Sequence, residues 1–133
     1  MRGMLIDPVQ GWWRECDPRD EEEIKGLLRA DELENTALKV GEEYYGCWCD
    51  RHGRDEGKGY RKETVVLRRR EGLRRKWHYY GYIMGPVFIY LNRGLSDLDV
   101  EFLKGRLILH SDGDSPCIIV EDFQNMAYEP TDP

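Results

Sequence analysis

One segment near the start of this chain has the spacing of apolar residues that is typical of a helix. Ile24, Leu27 and Leu28 are spaced i, i+3, i+4 and would share one face. Four acidic residues precede them, where they would complement the helix dipole. The pattern predicts a helix over about residues 18–30, with Asp17 as its N-cap.

The other apolar runs are short and are typical of strands. Glu71 and Gly72 separate two runs, 64–70 and 73–80, which together predict a β-hairpin. The run Val87–Leu91 is wholly apolar, which favours a central strand covered on both faces.

A second, shorter helix is predicted over about residues 97–104. Ser96 is placed as its N-cap, and Leu95 and Val100 occupy the two positions of a hydrophobic staple around it. Gly105 stands where a C-terminal cap is expected.

Hairpin patterns outnumber β-α-β patterns in this chain. We therefore expect an α+β fold with a mostly antiparallel sheet of six to eight strands and the two helices. The 133 residues are enough for one domain over 1–133, with a loose tail after residue 123.

Length and cysteine content narrow the class of protein. No apolar run reaches the about 18 residues of a membrane span, and Arg2 is not followed by an apolar leader segment. Because nothing marks the chain for export, the four cysteines are expected to be reduced. We therefore expect a cytoplasmic protein without membrane contact. The cysteines are Cys16, Cys47, Cys49 and Cys117.

Charge is distributed very unevenly along the chain. The segment 58–76 holds nine basic and two acidic side chains, a net charge of +7. The whole chain carries −6, so the remaining residues carry −13. An acidic body with one basic segment is the clearest feature of this sequence.

The cluster Cys47, Cys49 and His52 offers three candidate zinc ligands, with Cys16 or Cys117 as a fourth. Structural zinc sites usually space their cysteines by two residues or more, whereas only Trp48 separates this pair. In a strand both thiols would point to one face, where cysteine packs as a small hydrophobe. We therefore expect core packing rather than a metal, and no cofactor.

No set of residues has the arrangement that nucleophilic catalysis needs. His110, Ser111, Asp112 and Asp114 are close in sequence, but catalytic triads are assembled from distant segments. His78 lies among aromatic residues, where an imidazole serves stacking as well as proton transfer. We expect no catalytic residue and no enzymatic activity.

The predicted hairpin combines the two residue types that a nucleic-acid surface needs, since arginine contacts phosphates and aromatic rings stack on bases. A charged tip that keeps the hairpin soluble would show the same composition. So would a hairpin that pairs with the acidic residues 20–23, in the same chain or across a homodimer. The candidate binding residues are Arg68, Arg69, Arg70, Arg74, Arg75, Lys76, Trp77, His78, Tyr79 and Tyr80.

Two stretches of the C-terminal half carry a resemblance. Residues 90–100 (YLNRGLSDLDV) and 103–109 (LKGRLIL) give an Asn-Arg turn, a short helix containing aspartate, a glycine and an apolar strand. This order resembles an uncharacterised family of small proteins that phages and mobile elements often carry. The N-terminal half is compatible with it, with an opening strand that ends at Asp7-Pro8. The basic hairpin is not part of the pattern, and the resemblance implies no functional residue.

The resemblance implies a biological setting, since small acidic phage proteins often bind and block a host machine. The leading hypothesis is a non-enzymatic protein that contacts, and so inhibits, a host protein or nucleoprotein. The alternative is a nucleic-acid-binding module that uses the hairpin over residues 58–80. A small-molecule or nucleotide binder is a third class, which would show a closed apolar pocket with convergent polar groups.

Overall fold

The computed structural model describes residues 1–71, 76–109 and 116–121. Within these ranges the chain forms nine strands and two α-helices. The strands are β1 (Gly3–Asp7), β2 (Trp12–Cys16), β3 (Leu33–Val40), β4 (Glu43–Asp50), β5 (Glu63–Glu71), β6 (Lys76–Met84), β7 (Val87–Tyr90), β8 (Leu107–Leu109) and β9 (Pro116–Glu121), and the helices are α1 (Glu21–Leu28) and α2 (Asp97–Lys104).

Five strands form the larger sheet, in the order β2-β1-β7-β4-β3, and every neighbouring pair is antiparallel. The apolar strand β7 lies at the centre, as its sequence predicts. Its flanking strands β1 and β4 both run antiparallel to it, so they end at the same edge of the sheet. This edge therefore brings together Asp7 at the end of β1 and Asp50 at the end of β4.

The larger sheet is covered on both faces. On one face, Ile24 and Leu28 of α1 pack against Leu5 and Phe88. The aromatic side chains of β7 lie over glycines of the neighbouring strands, and a Cβ at Gly46 would stand 2.4 Å from the Tyr90 ring. Glycine is required there because no larger residue leaves room for the ring.

On the opposite face, the larger sheet packs against a second sheet and α2. The second sheet has the order β6-β5-β9-β8 and contributes Val65 and Ile118 to the shared core. Helix α2 contributes Val100 and Leu103. Most pairs in this sheet are antiparallel, but β5 and β9 are parallel. The core between the two sheets therefore joins residues that are far apart in the sequence.

The fold class is the expected α+β, with a mostly antiparallel arrangement, but the strands are divided differently from the prediction. Nine described strands form two packed sheets, where the sequence predicted six to eight strands in one sheet. Strand pairing is set by contacts between distant segments, so short apolar runs do not reveal how many sheets they form. Among the described residues, no helix is long and apolar enough to cross a membrane.

The two helix starts show one correct and one incorrect prediction. Ser96 caps α2 as expected, and its side chain accepts from the Asp99 amide while the Asp99 carboxylate accepts from the Ser96 amide. The predicted cap Asp17 is wrong, because α1 begins at Glu21 and is capped by Asp20, whose carboxylate accepts from the Glu23 amide. Asp17 instead contacts the N-terminal amine.

Candidate interaction surface

The basic hairpin predicted from the sequence is formed by β5 and β6, but Glu71, which was predicted to lie in its turn, is the last residue of β5 and pairs with Lys76. The two strands pair from Glu63 and Met84 out to Glu71 and Lys76. The parallel pairing of β5 with β9 covers only Val65 to Arg68. In the described part of the chain, the hairpin therefore continues beyond β9 as a two-stranded ribbon.

The register of the hairpin places basic residues opposite aromatic ones. Arg68 is paired with Tyr79, and Arg70 is paired with Trp77. Between them, Arg69 is paired with His78. Directly opposite positions of an antiparallel pair lie on the same face of a ribbon. The backbone thus brings together residues that the sequence separates by about ten positions.

The predicted binding residues fall into three groups, two of which lie on described strands of this ribbon. Arg68, Arg69 and Arg70 lie on β5, while β6 carries the run from Lys76 to Tyr80. Arg74 and Arg75 lie outside the described residues. A shift in register divides β5 between Leu67 and Arg68, at the point where the basic run begins. Such irregularities increase the local twist of a ribbon.

Strand β6 is anchored at its base by the loop that follows β4. The Arg54 guanidinium donates to the Tyr82 carbonyl over 2.6 Å and lies 4.5 Å above the Tyr82 ring. Beyond Met84, the chain turns through Gly85, whose φ of 86° is unfavourable for other residues. Thr64 fixes this turn by donating its hydroxyl to the Gly85 carbonyl. The base of the hairpin is therefore held by Arg54 of the loop after β4 and by Thr64 of β5.

The structure separates the cysteines from the histidine in the candidate zinc cluster. Cys47 and Cys49 point into the core between the sheets, while Trp48 lies on the opposite face, as the strand pattern predicts. Burial raises the pKa of the Cys47 thiol well above its ordinary value and that of Cys49 to about 12. Among the described residues, no group of three potential ligands has metal-binding geometry.

His52 lies at the surface between two carboxylates. Its Nε2 is 2.5 Å from Glu32 Oε1, and its Nδ1 is 3.1 Å from Asp55 Oδ2. Both ring nitrogens are thus engaged within the chain. The candidate triad around His110 lies outside the described residues.

Sequence reasoning missed an ion pair between a buried carboxylate and a half-exposed arginine at the edge of the larger sheet. The Asp7 side chain is wholly buried, and its Oδ2 accepts from Arg29 over 3.1 Å. Its Oδ1 accepts from the amides of Val9 and Gln10, which closes the turn after β1. Arg29 reaches this position from the end of α1 with a left-handed φ of 54°. The Asp7-Pro8 turn was visible in the sequence, but the arginine partner 22 residues away was not.

A second ion pair with a buried carboxylate lies at the same edge. The Lys58 ammonium is 2.8 Å from Asp50 Oδ2 and also donates to the Arg29 carbonyl over 3.2 Å. The Asp50 side chain is wholly buried. Burial raises the pKa of the neighbouring Tyr60 phenol, and charges from both ion pairs reach it. Lys58, which the sequence grouped with the basic segment, therefore neutralises a buried carboxylate and is not part of a free basic surface.

A half-open cleft of about 270 Å³ lies between the end of β4 and strand β6. Cys49 and Ile83 line its interior, and Glu34, Arg51 and Arg54 line its rim. With charged, exposed side chains in its lining and a half-open shape, it differs from the closed apolar pocket expected of a small-molecule binder.

No family model, curated protein or solved structure matches this chain. The resemblance over residues 90–109 therefore remains an expectation.

Proposed function

We propose that the protein is a non-enzymatic binding protein of phage or mobile-element type that contacts a host protein or nucleoprotein through its basic hairpin. The observation that carries the proposal is the register of β5 and β6, which pairs arginines with aromatic residues along one ribbon. Arginine and aromatic residues are the types most enriched at the energetic centre of protein interfaces. The ribbon therefore has the composition of a contact surface.

The charge of the body supports a protein partner over a bare polyanion. The segment 58–76 carries +7 and the rest of the chain −13. Lys58 is used internally by Asp50, which reduces the positive charge that a partner meets. A nucleic acid would be repelled by most of the surface, whereas a protein with an acidic patch can meet the hairpin alone. Occupying such a patch would inhibit a machine that needs it.

The experiment is a comparison of two variants that lose the same charge. One removes four hairpin arginines, Arg69, Arg70, Arg74 and Arg75, by substitution with alanine. The other removes Arg14, Arg19, Lys104 and Arg106, exposed basic residues on other elements. We expect a host protein to be captured from lysate by the wild type and the second variant, and lost from the first. Equal capture by all three, or turnover of a small molecule by the purified protein, would contradict the proposal.

A nucleic-acid-binding module is the second candidate. It is favoured by the arginines of β5 that lie opposite Trp77, His78 and Tyr79 of β6. Bases stack on aromatic rings, and arginine binds the phosphates between them. This candidate predicts affinity for a single-stranded oligonucleotide that falls steeply with salt. The same hairpin variant would abolish that affinity, and retained binding in the variant would exclude this candidate.

A further inference from the structure

The segment that joins β4 to β5 contacts both sheets. At the start of residues 51–59 of this segment (the 51–59 loop), Arg51 donates its amide to the Glu32 carbonyl over 3.0 Å, which ties the loop to the start of β3. Its other end is tied to the larger sheet by Lys58, which contacts Asp50 and the Arg29 carbonyl. Within the loop, residues 56–58 form one turn of 3-10 helix.

The middle of the 51–59 loop contacts the other sheet. Arg54 donates to the Tyr82 carbonyl of β6, and Gly53 lies so close to Met84 that a Cβ there would be 2.6 Å from the Met84 carbonyl oxygen. Strand β6 continues from these residues into the hairpin. The position of the 51–59 loop therefore determines how the base of β6 is held against the larger sheet.

His52 joins the 51–59 loop to Glu32, the residue before β3, and also contacts Asp55 within the loop. Its ring nitrogens are 2.5 Å from Glu32 and 3.1 Å from Asp55, so both face carboxylate oxygens. A neutral imidazole has one N–H and can donate to only one of them, leaving a lone pair directed at the other carboxylate. An imidazolium donates to both. The geometry therefore matches the protonated ring.

The charges around the ring favour the same state. The hydrogen bond to Glu32 raises the pKa of His52, and the hydrogen bond from His52 lowers the pKa of Glu32. Arg51 lies 4.0 Å from Glu32, and Lys25 of α1 also acts on that carboxylate. These two cations therefore share Glu32 with His52. Asp55 is the second carboxylate that faces the imidazolium.

We infer that Glu32, His52 and Asp55 form a pH-sensitive contact that strengthens the attachment of the 51–59 loop when His52 is protonated and weakens it when His52 is neutral. Because the loop contacts Tyr82 and Met84, a weaker attachment also weakens one of the contacts that hold the base of the hairpin. A raised pKa in the folded protein means that the stabilisation is present at low pH and is lost as pH rises through that pKa. The inference stands on the geometry of the loop and is independent of the partner of the hairpin.

The test is amide hydrogen exchange of the full chain, followed by NMR at two pH values. At each pH, the exchange rate of every loop amide in wild type is divided by its rate in His52→Gln, which cancels the intrinsic pH dependence of exchange. At about pH 5.5, where an imidazole is charged, we expect the amides of Gly53, Asp55 and Lys58 to exchange about two- to fivefold more slowly in wild type. At about pH 8.5, we expect the two proteins to exchange alike.

Two further variants test whether the change in loop exchange comes from the contact of His52 with Glu32. In Glu32→Gln, the midpoint of the His52 ring titration should move to lower pH, and the loop protection at low pH should fall. In His110→Gln, which removes another histidine, the loop should behave as in wild type. Loop protection that is equal in wild type and His52→Gln at low pH would overturn the inference. A difference in loop exchange between wild type and His52→Gln that is as large at high pH as at low pH would also overturn it.

Discussion

The ammonium of Lys58 lies 2.8 Å from a carboxylate oxygen of Asp50, whose side chain is wholly buried at the end of the central strands. A buried carboxylate that loses its cation leaves an uncompensated charge away from water. Lys58→Met should therefore lower the free energy of unfolding by about 2–4 kcal/mol. Urea denaturation of the variant measures this loss.

The double variant Asp50→Asn/Lys58→Met distinguishes this explanation from simple loss of packing. Removing both charges should recover part of the stability that Lys58→Met loses. Lys104→Met, which alters an exposed lysine of α2, should change stability by less than about 0.5 kcal/mol. An equally large loss in Lys104→Met would show that the effect is not specific to the buried pair.

Asp7 combines an ion pair with the closure of a turn. Asp7→Ala removes the acceptor for the amides of Val9 and Gln10 and should cost about 2–3 kcal/mol in the free energy of unfolding. Asp7→Asn keeps an acceptor for the turn and should cost less. Thermal unfolding of both variants checks the order, and an equal loss would mean that only the charge matters.

Helix α2 provides a test of its N-terminal cap. Ser96→Ala removes the acceptor for the Asp99 amide and should cost about 1 kcal/mol, whereas Ser96→Thr keeps an oxygen and should cost less. Leu98 is 81% exposed on the same helix, so Leu98→Ala serves as the control and should be nearly neutral. Equal losses in Ser96→Ala and Ser96→Thr would contradict the capping role.

The thiols should react in the order of their burial. Burial raises the pKa of Cys47 well above its ordinary value and that of Cys49 to about 12, and the thiolate is the reactive form. Cys16 is only partly buried. We expect iodoacetamide to modify Cys16 before Cys47 and Cys49 in the folded protein, as followed by peptide mass spectrometry. Early modification of Cys47 would show that the core between the sheets opens readily.

Local patterns predicted those elements whose formation depends on neighbouring residues. The cap at Ser96 and the central position of β7 could be predicted, because a capping residue and a wholly apolar run are visible within a few positions. The sequence places the cap of α1 three residues too early because Asp17 and Asp20 are both good capping residues, and the helix in the structure uses Asp20.

Apart from the cap of α1, the features that escaped prediction join distant segments. The parallel pair of β5 and β9 joins the hairpin to β8 and β9 in the second sheet, and no local pattern marks it. The ion pairs of Asp7 and Asp50 were missed for the same reason, since each aspartate ends a strand and its cation arrives from a different element. The hairpin was predicted because its strands are adjacent in sequence, but the register that opposes Arg70 and Trp77 came only from the structure.

Site-specific photo-crosslinking reports which surface of the protein contacts the partner. The photoreactive residue benzoylphenylalanine would replace Trp77 on the hairpin or, as a control, the exposed Leu98 on α2. Each variant is mixed with host lysate and irradiated. We expect a discrete crosslinked protein from position 77 and none from position 98. Crosslinking from position 98 with none from position 77 would contradict the proposal that the hairpin is the contact surface.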